Sequence, residues 1–512
     1  MKICLIVEGC YPYVVGGVSA WVQMLMQRMP EHQFVIVSIG AESRQRGQFR
    51  YPIPANVTEV REYFLDEPMV PDAAPSAERP LTNAQRRALL DLVRGTAPDW
   101  SQLFELFGGK NPLPVQQFLM SEEFLSLVQG LAEGPGRNTP FKDLFWALRS
   151  MLLPALELLR CPVPEADLYH TVATGYAGLL GAKFSYFAQK PYLVTEHGIY
   201  TREREEEILK ADWVPGYFKP TWIGYFRALS QAAYRQAGTI VSLFQGAREL
   251  QIGLGAEERK CRVIPNGIDV GRFAALPPLD PAPHPLHIGA VLRIVPIKDV
   301  KTMIYSFHRI KAARPDATLD LIGPCDEDPD YYEECKALIR RLDCPDIRFV
   351  GRADVTDWLP KLDLVLLTSI SEGQPFVLLE AMAARRPVVA TNVGSCREII
   401  EGAGDGLGPA GRVVPVMSPA AIADGILEIS RSPAQLRALA ENGYRRVVRF
   451  YQDKDFLAAY RSLYREAVQN TQQEVNCPWR ASALNRKRYS GTTAFLRCCG
   501  AIPWLPLLPR AP

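Results

Sequence analysis

The run Leu276-Pro277-Pro278-Leu279-Asp280-Pro281-Ala282-Pro283-His284-Pro285 carries five prolines in ten residues. Proline at this density excludes helix and ladder alike and favours an extended spacer. The chain must therefore divide here, and 512 residues are in any case too many for one core. On each side the same pattern repeats, with continuous apolar runs of strand length alternating with helix-length segments. That alternation predicts parallel sheets covered on both faces. The expected class is α/β, two parallel-sheet domains facing a cleft. The first spans 1–275 and the second 286–452, joined by the spacer 276–285.

In the first half, Lys2–Val7 reads as a strand, followed by a loop ending in Gly16-Gly17, a helix from about Val18 to Met29 and a strand over Gln33–Ile39. From about 61 to 164 the pattern changes to helical pieces broken by Pro and Gly connectors, an expected helical insertion. Strands at Leu168–His170, Tyr192–Thr195 and Thr239–Leu243 resume the alternation. After the spacer come strands at Leu286–Leu292, Thr318–Ile322, Ile347–Val350, Leu362–Leu367 and Pro387–Ala390. A helix over 453–470 follows, then an atypical tail, 471–512, with basic, Cys- and Pro-rich stretches and no clean period.

Composition narrows the function classes. A formal net charge of +2, with 22% charged residues, gives no electrostatic basis for nucleic-acid binding. No stretch offers the roughly 20 apolar residues of a membrane span. The opening apolar run is too short for a signal peptide, and 11 scattered cysteines without zinc spacing fit reduced thiols. The expectation is a cytoplasmic protein.

Chemistry concentrates after Leu362–Leu367, in Ser371-Glu372-Gly373-Gln374-Pro375-Phe376-Val377-Leu378-Leu379-Glu380-Ala381-Met382. Glu372 falls in the loop at a strand's carboxyl end, where open α/β sheets place ligands. Glu380 falls on the helix that follows. Were the segment helical throughout, the two would sit about 12 Å apart along the axis, beyond the roughly 5–10 Å of a carboxylate pair acting on one bond. The spacing suits two hydroxyl-rich groups of one elongated ligand, or an exposed Glu and a partly buried one. Arg293 and Lys298 lie in the loop between the first strand of the second half and its helix. They are either two solvated charges or a diphosphate site at a helix N-terminus. His197 follows a strand in the first half and is a candidate for the cleft, with His170 a weaker one. Gly16-Gly17 could admit a ligand or simply permit a turn. Asp326-Glu327-Asp328 has the look of an Asp-x-Asp metal site, but it precedes a helix where acidic residues are favoured anyway; no metal is expected.

Pro265-Asn266-Gly267-Ile268-Asp269, Arg293 with Lys298, Phe349-Val350-Gly351, the 371–382 stretch, Pro387–Thr391 and Gly394 with Glu398 occur together in this order. With them the second half resembles the nucleotide-binding domain of the retaining glycosyltransferases of family four, which have the GT-B architecture. The stretches Glu8–Val18 and Thr195–Glu203 resemble, more narrowly, an exopolysaccharide-forming branch. The resemblance implies a UDP-sugar donor, no other cofactor, no metal, a polysaccharide acceptor and a possible membrane synthase complex that recruits the enzyme peripherally. It implies that Glu380 holds the ribose and Glu372 the sugar, while Arg293 and Lys298 neutralise the diphosphate. Gly373, Gln374, Pro375 and Phe376 would approach sugar and phosphates, with His197 near the sugar and Gly16-Gly17 near phosphates or acceptor. Gln374-Pro375-Phe376 departs from the Phe-Gly of many members. A non-catalytic nucleotide-sugar-binding subunit of a synthase complex and a GT-B nucleotide-sugar epimerase or phosphorylase are the alternatives.

Overall fold

A computed structural model describes residues 1–68, 79–133, 139–280 and 284–476. The first sheet comprises β1 (Lys2–Glu8), β2 (Gln33–Gly40), β3 (Val57–Phe64), β4 (Leu168–Thr171), β5 (Tyr192–Glu196), β6 (Thr239–Ser242) and β7 (Cys261–Val263). The second comprises β8 (His287–Val291), β9 (Thr318–Ile322), β10 (Ile347–Gly351), β11 (Leu364–Leu367), β12 (Val388–Thr391) and β13 (Gly411–Val414). Their orders are 3-2-1-4-5-6-7 and 10-9-8-11-12-13, and every pairing is parallel. Both sheets lie within one compact unit, Met1–Val468.

Each sheet is buried on both faces, as its continuous apolar strands require. In β1, Cys4 and Ile6 enter one core cluster while Ile3, Leu5 and Val7 enter the other. In β11, Leu364 and Leu366 face one side and Val365 and Leu367 the opposite side. A strand's two-residue side-chain period makes this division automatic. Strand order reverses between β1 and β4, and again between β8 and β11. Such switch points splay the loops at the carboxyl ends of the two strands and open a crevice. The loops that follow β1, β8 and β11 carry Gly16-Gly17, Arg293 with Lys298, and Glu372.

Several elements differ from the sequence reading. Val57–Phe64 is a strand, so the first residues of the expected 61–164 insertion belong to β3. This edge strand is half-exposed and carries Glu59, Arg61 and Glu62, which hides the apolar signal. The insertion's helices span Asn83–Val93, Trp100–Gly108, Val115–Phe118, Glu122–Ala132 and Phe141–Arg160. They share one apolar cluster with the outer face of the first sheet. Unforeseen elements include the charged helix Tyr200–Lys210, the short helix Cys396–Glu401 and β13.

The chain crosses between the sheets twice. After the helix Pro433–Phe450 it returns along Ile268, whose N–H donates to Tyr451 O (2.9 Å) and whose carbonyl accepts from Asp453 N (3.0 Å). The helix Asp453–Asn476 then packs on the first sheet, with Phe456, Leu457, Tyr460 and Tyr464 among Ile3, Leu5 and Trp21. The middle of the Pro-rich spacer and the tail from 477 lie outside the described residues.

Candidate functional site

A cavity of about 640 Å³ lies between the sheets, walled by the loops that follow β1 and β5 to β11. Gly16, Gly17, His197, Arg293, Lys298, Glu372, Gly373, Gln374, Pro375 and Phe376 all line it. Glu380 does not. It sits in the middle of the helix Phe376–Ala383, where burial raises its carboxyl pKa, Arg272 lowers it and Asp354 raises it further.

Lys298 and Glu372 meet as an ion pair across the second switch point, their side chains only 18% and 13% exposed. Ser369 Oγ also donates to Glu372 Oε1 (2.6 Å). Thr368 Oγ1 donates to the Lys298 carbonyl (2.9 Å), tying the loop after β11 to the loop after β8. The chain turns at Asp299 with φ of 47°, and the Asp299 carboxylate caps the helix Val300–Ala313 through Thr302 N (3.3 Å). These ties fix where Lys298 points. Arg293 is held differently: it is half-exposed and donates to Glu327 Oε2 at 2.6 Å.

The carboxylates of 326–328 have separate partners. Asp326 pairs with Arg352 (3.1 Å), Glu327 with Arg293, and Asp328 caps the helix Pro329–Arg341 through Tyr331 N (3.0 Å). Among the described residues, no group of three or more His, Cys, Asp or Glu could hold a metal ion.

Only glycine fits at two points of the β11 loop's environment. A Cβ on Gly373 would run into the His197 carbonyl oxygen, and Gly394, at φ of 51°, packs against the carbonyls of Glu372 and Gly373. Gly16 and Gly17 differ, because a Cβ on either would meet nothing and neither has φ in the left-handed region. Neither packing nor backbone conformation accounts for glycine there.

His197 lines the cavity with Nε2 shielded from water and unpartnered. Its ring stands edge-on to Trp21 at 4.7 Å. Burial pulls its pKa down to about 4, so the ring is neutral near pH 7. The preceding residue, Glu196, anchors this end of β5 by accepting from Thr174 Oγ1, Tyr200 N, Tyr234 OH and Gln251 Nε2. His170 is brought elsewhere: Nδ1 meets Tyr464 OH and Nε2 meets Thr195 Oγ1, both at 2.8 Å. With both nitrogens engaged in the core, His170 fastens the C-terminal helix to the sheet.

Two wall residues, Asn266 and Arg352, and one residue outside the wall, Glu398, had no predicted role. Asn266 is buried with Oδ1 unpartnered, while its N–H donates to Gln374 Oε1 (2.6 Å) across the two halves. Arg352 adds a third cation to the cavity. Glu398 joins the halves by accepting from Gln245 N (3.1 Å) and Gly246 N (3.0 Å), at the start of the helix Gln245–Gly253. The motif order contained Asn266 and Glu398, but only tertiary packing reveals their partners. A second cavity, of about 410 Å³, shares His197, Glu372 and Gly373 with the first.

Comparison with known proteins places this geometry. Residues 1–259 match the model described as domain of unknown function DUF3492, and residues 283–432 match glycosyl transferases group 1. The MMP alpha-(1->4)-mannosyltransferase of Mycolicibacterium hassiacum is 24% identical, over 54% of this chain and 66% of its own length. A D-inositol 3-phosphate glycosyltransferase of Kineococcus radiotolerans is 30% identical, over 44% and 56%. The matched stretch thus spans less than two thirds of either relative. Anabaena HepE, solved in complex with UDP, superposes with a TM-score of 0.57 at 16% identity, over 91% of this chain and 100% of that one. Sucrose-phosphate synthase of Thermosynechococcus elongatus gives 0.55 at 16%, over 91% and 99%. These likenesses establish the GT-B fold. With residues 1–259 matched by the one model and 283–432 by the other, the chain belongs to the DUF3492 family, on a glycosyl transferases group 1 scaffold.

Proposed function

We propose that the protein is a retaining glycosyltransferase that moves a sugar from a UDP-sugar to a growing exopolysaccharide. The observation that carries this reading is the nearly buried Lys298–Glu372 pair at a switch point, beside a helix start at Phe376 that no side chain caps. A cation and free helix N–H groups at one spot suit a diphosphate, and the adjoining carboxylate suits sugar hydroxyls. Arg293 supplies a second charge once a phosphate competes with Glu327. Gly16 and Gly17, with open space before them, allow the N-terminal loop to approach phosphates. His197, neutral and at the wall of the cavity, packs against the sugar. Glu380, in the second turn of the same helix, takes the ribose.

In the proposed reaction the bond from the anomeric carbon to the diphosphate oxygen breaks while a bond to the acceptor oxygen forms on the same face. The acceptor proton passes to the departing diphosphate, so no protein base is needed. The cations stabilise the leaving charge without a metal, and the three carboxylates of 326–328 are already engaged elsewhere.

The resemblance of Glu8–Val18, the insertion and Thr195–Glu203 to PelF, the cytosolic glycosyltransferase of Pel exopolysaccharide synthesis, points this reading toward a Pel-like polymer made at the cytoplasmic face of the membrane. The relatives' named donors and acceptors vary, while HepE binds UDP. Among the described residues, no helix is long and apolar enough to cross a membrane. Attachment to a synthase complex would rest on a partner, with the helical insertion as the available surface. Measuring UDP binding and UDP release with a panel of UDP-sugars tests the reading; binding without release identifies a sensing subunit instead.

A further inference from the structure

The two sheets reverse strand order at equivalent places, between β1 and β4 and between β8 and β11, but fill them differently. At the first, the chain supplies its own side chain. Glu8 closes β1, and its Oε2 accepts from Ala177 N (2.9 Å) at the start of the helix Tyr176–Ala188, which follows β4. The first N–H groups of a helix have no partner inside it, and Glu8 meets one of them where an open α/β sheet otherwise takes its ligand. Its other oxygen, Oε1, accepts from Tyr200 OH (3.2 Å). The Tyr200 ring lies so close to the same helix start that a Cβ on Gly175 would collide with it. One carboxyl group thus ties together the segments that follow β1, β4 and β5.

Two of those segments lead into the donor cavity. The chain turns out of β1 at Gly9, with φ of 63° and its N–H on Ile39 O (2.9 Å), and runs from there to Gly16 and Gly17 in the cavity wall. His197 lies between two fastened residues, because Glu196 accepts from Tyr200 N (3.2 Å) while Tyr200 OH reaches Glu8. Glu8 itself is not among the residues that line the cavity. Resting on the donor reading above, we infer that Glu8 is a positioning residue: with Tyr200 it forms a latch at the first switch point that holds the N-terminal loop and His197 against the donor. The cations assigned to the diphosphate, Lys298 and Arg293, follow β8 in the other sheet. Loss of the latch therefore costs turnover rather than UDP affinity.

Glu8→Ala, Glu8→Gln and Tyr200→Phe, each in the full chain, test this by amide hydrogen exchange, calorimetric UDP binding and UDP release from a panel of UDP-sugars. Glu8→Ala should speed exchange in 9–18 and 196–203 and lower turnover roughly 10–100-fold, the scale of a small misplacement in an active site, with UDP affinity unchanged. Tyr200→Phe deletes a single hydroxyl, keeps the test if Glu8→Ala does not fold, and should move both readouts in the same direction. Glu8→Gln should restore both, because its amide can accept from Ala177 N and donate to Tyr200 OH. The double variant Glu8→Ala, Tyr200→Phe should be no slower than Glu8→Ala, since the two residues share one contact. Unchanged exchange or unchanged turnover in both Glu8→Ala and Tyr200→Phe overturns the inference. Losses that fall on UDP affinity as much as on turnover, or a Glu8→Gln as slow as Glu8→Ala, overturn it as well. The donor reading fails separately: a parent that neither binds nor releases UDP sinks it, and hydrogen exchange still decides the latch.

Discussion

Lys298 and Glu372 come from loops that follow different strands, β8 and β11, and form one nearly buried ion pair at the point where the second sheet reverses its strand order. Neither charge is at rest there without the other. A ligand diphosphate entering this spot shares Lys298 with Glu372, which links phosphate binding to the carboxylate placed for the sugar.

Lys298→Ala is expected to lower turnover by roughly 10²–10³, the scale for removing one donor that stabilises developing charge. Arg293→Ala should cost about tenfold, the size of one weakened contact, because Arg293 is half-exposed and spends its resting state on Glu327. UDP release at saturating donor, with thermal melts as the folding control, measures both. Equal losses would mean that Glu327 does not hold Arg293 back.

The glycines give a contrast. Gly373→Ala forces a Cβ against the His197 carbonyl and should lower both the melting temperature and turnover. Gly16→Ala meets open space, so its melting temperature should stay within about 1–2 °C, the shift of a few tenths of a kcal/mol, while turnover falls. Unchanged turnover in Gly16→Ala would remove the N-terminal loop from the site.

Stability should fall on acidification through the histidines. The pKa of His170 is pulled down to about 3 and that of His197 to about 4, both chiefly by burial. Above the ordinary value of 6.5 neither state is protonated and there is no penalty. Below it the unfolded chain takes up protons that the folded chain refuses, so stability is lost as pH falls from 6.5 toward 4. The slope is up to ~1.4 kcal/mol per pH unit for each group. Urea melts at pH 7 and pH 5 check this, and His170→Gln should flatten the dependence. A variant as steep as the parent would contradict the assignment.

Much of this was legible in the sequence, for identifiable reasons. Strands such as Ile3–Val7 and Leu364–Leu367 are apolar throughout because both sheet faces are covered, and such runs stand out. Glu372, Lys298 and His197 follow strand ends, so their arrival in one cavity follows from topology. β3 was hidden by its exposed edge, and the helix Tyr200–Lys210 by its run of charges. Glu380's absence from the cavity lining depends on where the helix Phe376–Ala383 begins, which spacing alone cannot fix. Asn266, Arg352 and Glu398 gain meaning only from partners distant in sequence: Gln374, Asp326 and the start of the helix Gln245–Gly253.

Glu398 makes a mechanical prediction. Its carboxylate closes the two halves by accepting two N–H groups of a helix start, a contact on the scale of a cap, about 0.5–2 kcal/mol. Glu398→Ala should therefore increase the radius of gyration in small-angle scattering without UDP. An unchanged radius would show that Gln374 with Asn266 holds the halves unaided.

The most direct measurement is UDP release by the full chain from UDP-glucose, UDP-N-acetylglucosamine and UDP-N-acetylgalactosamine, run beside Lys298→Ala. Release from at least one donor by the parent, reduced by about two orders of magnitude or more in the variant, is the predicted result. A parent that neither binds nor cleaves any of the three, or a variant as active as the parent, would contradict it.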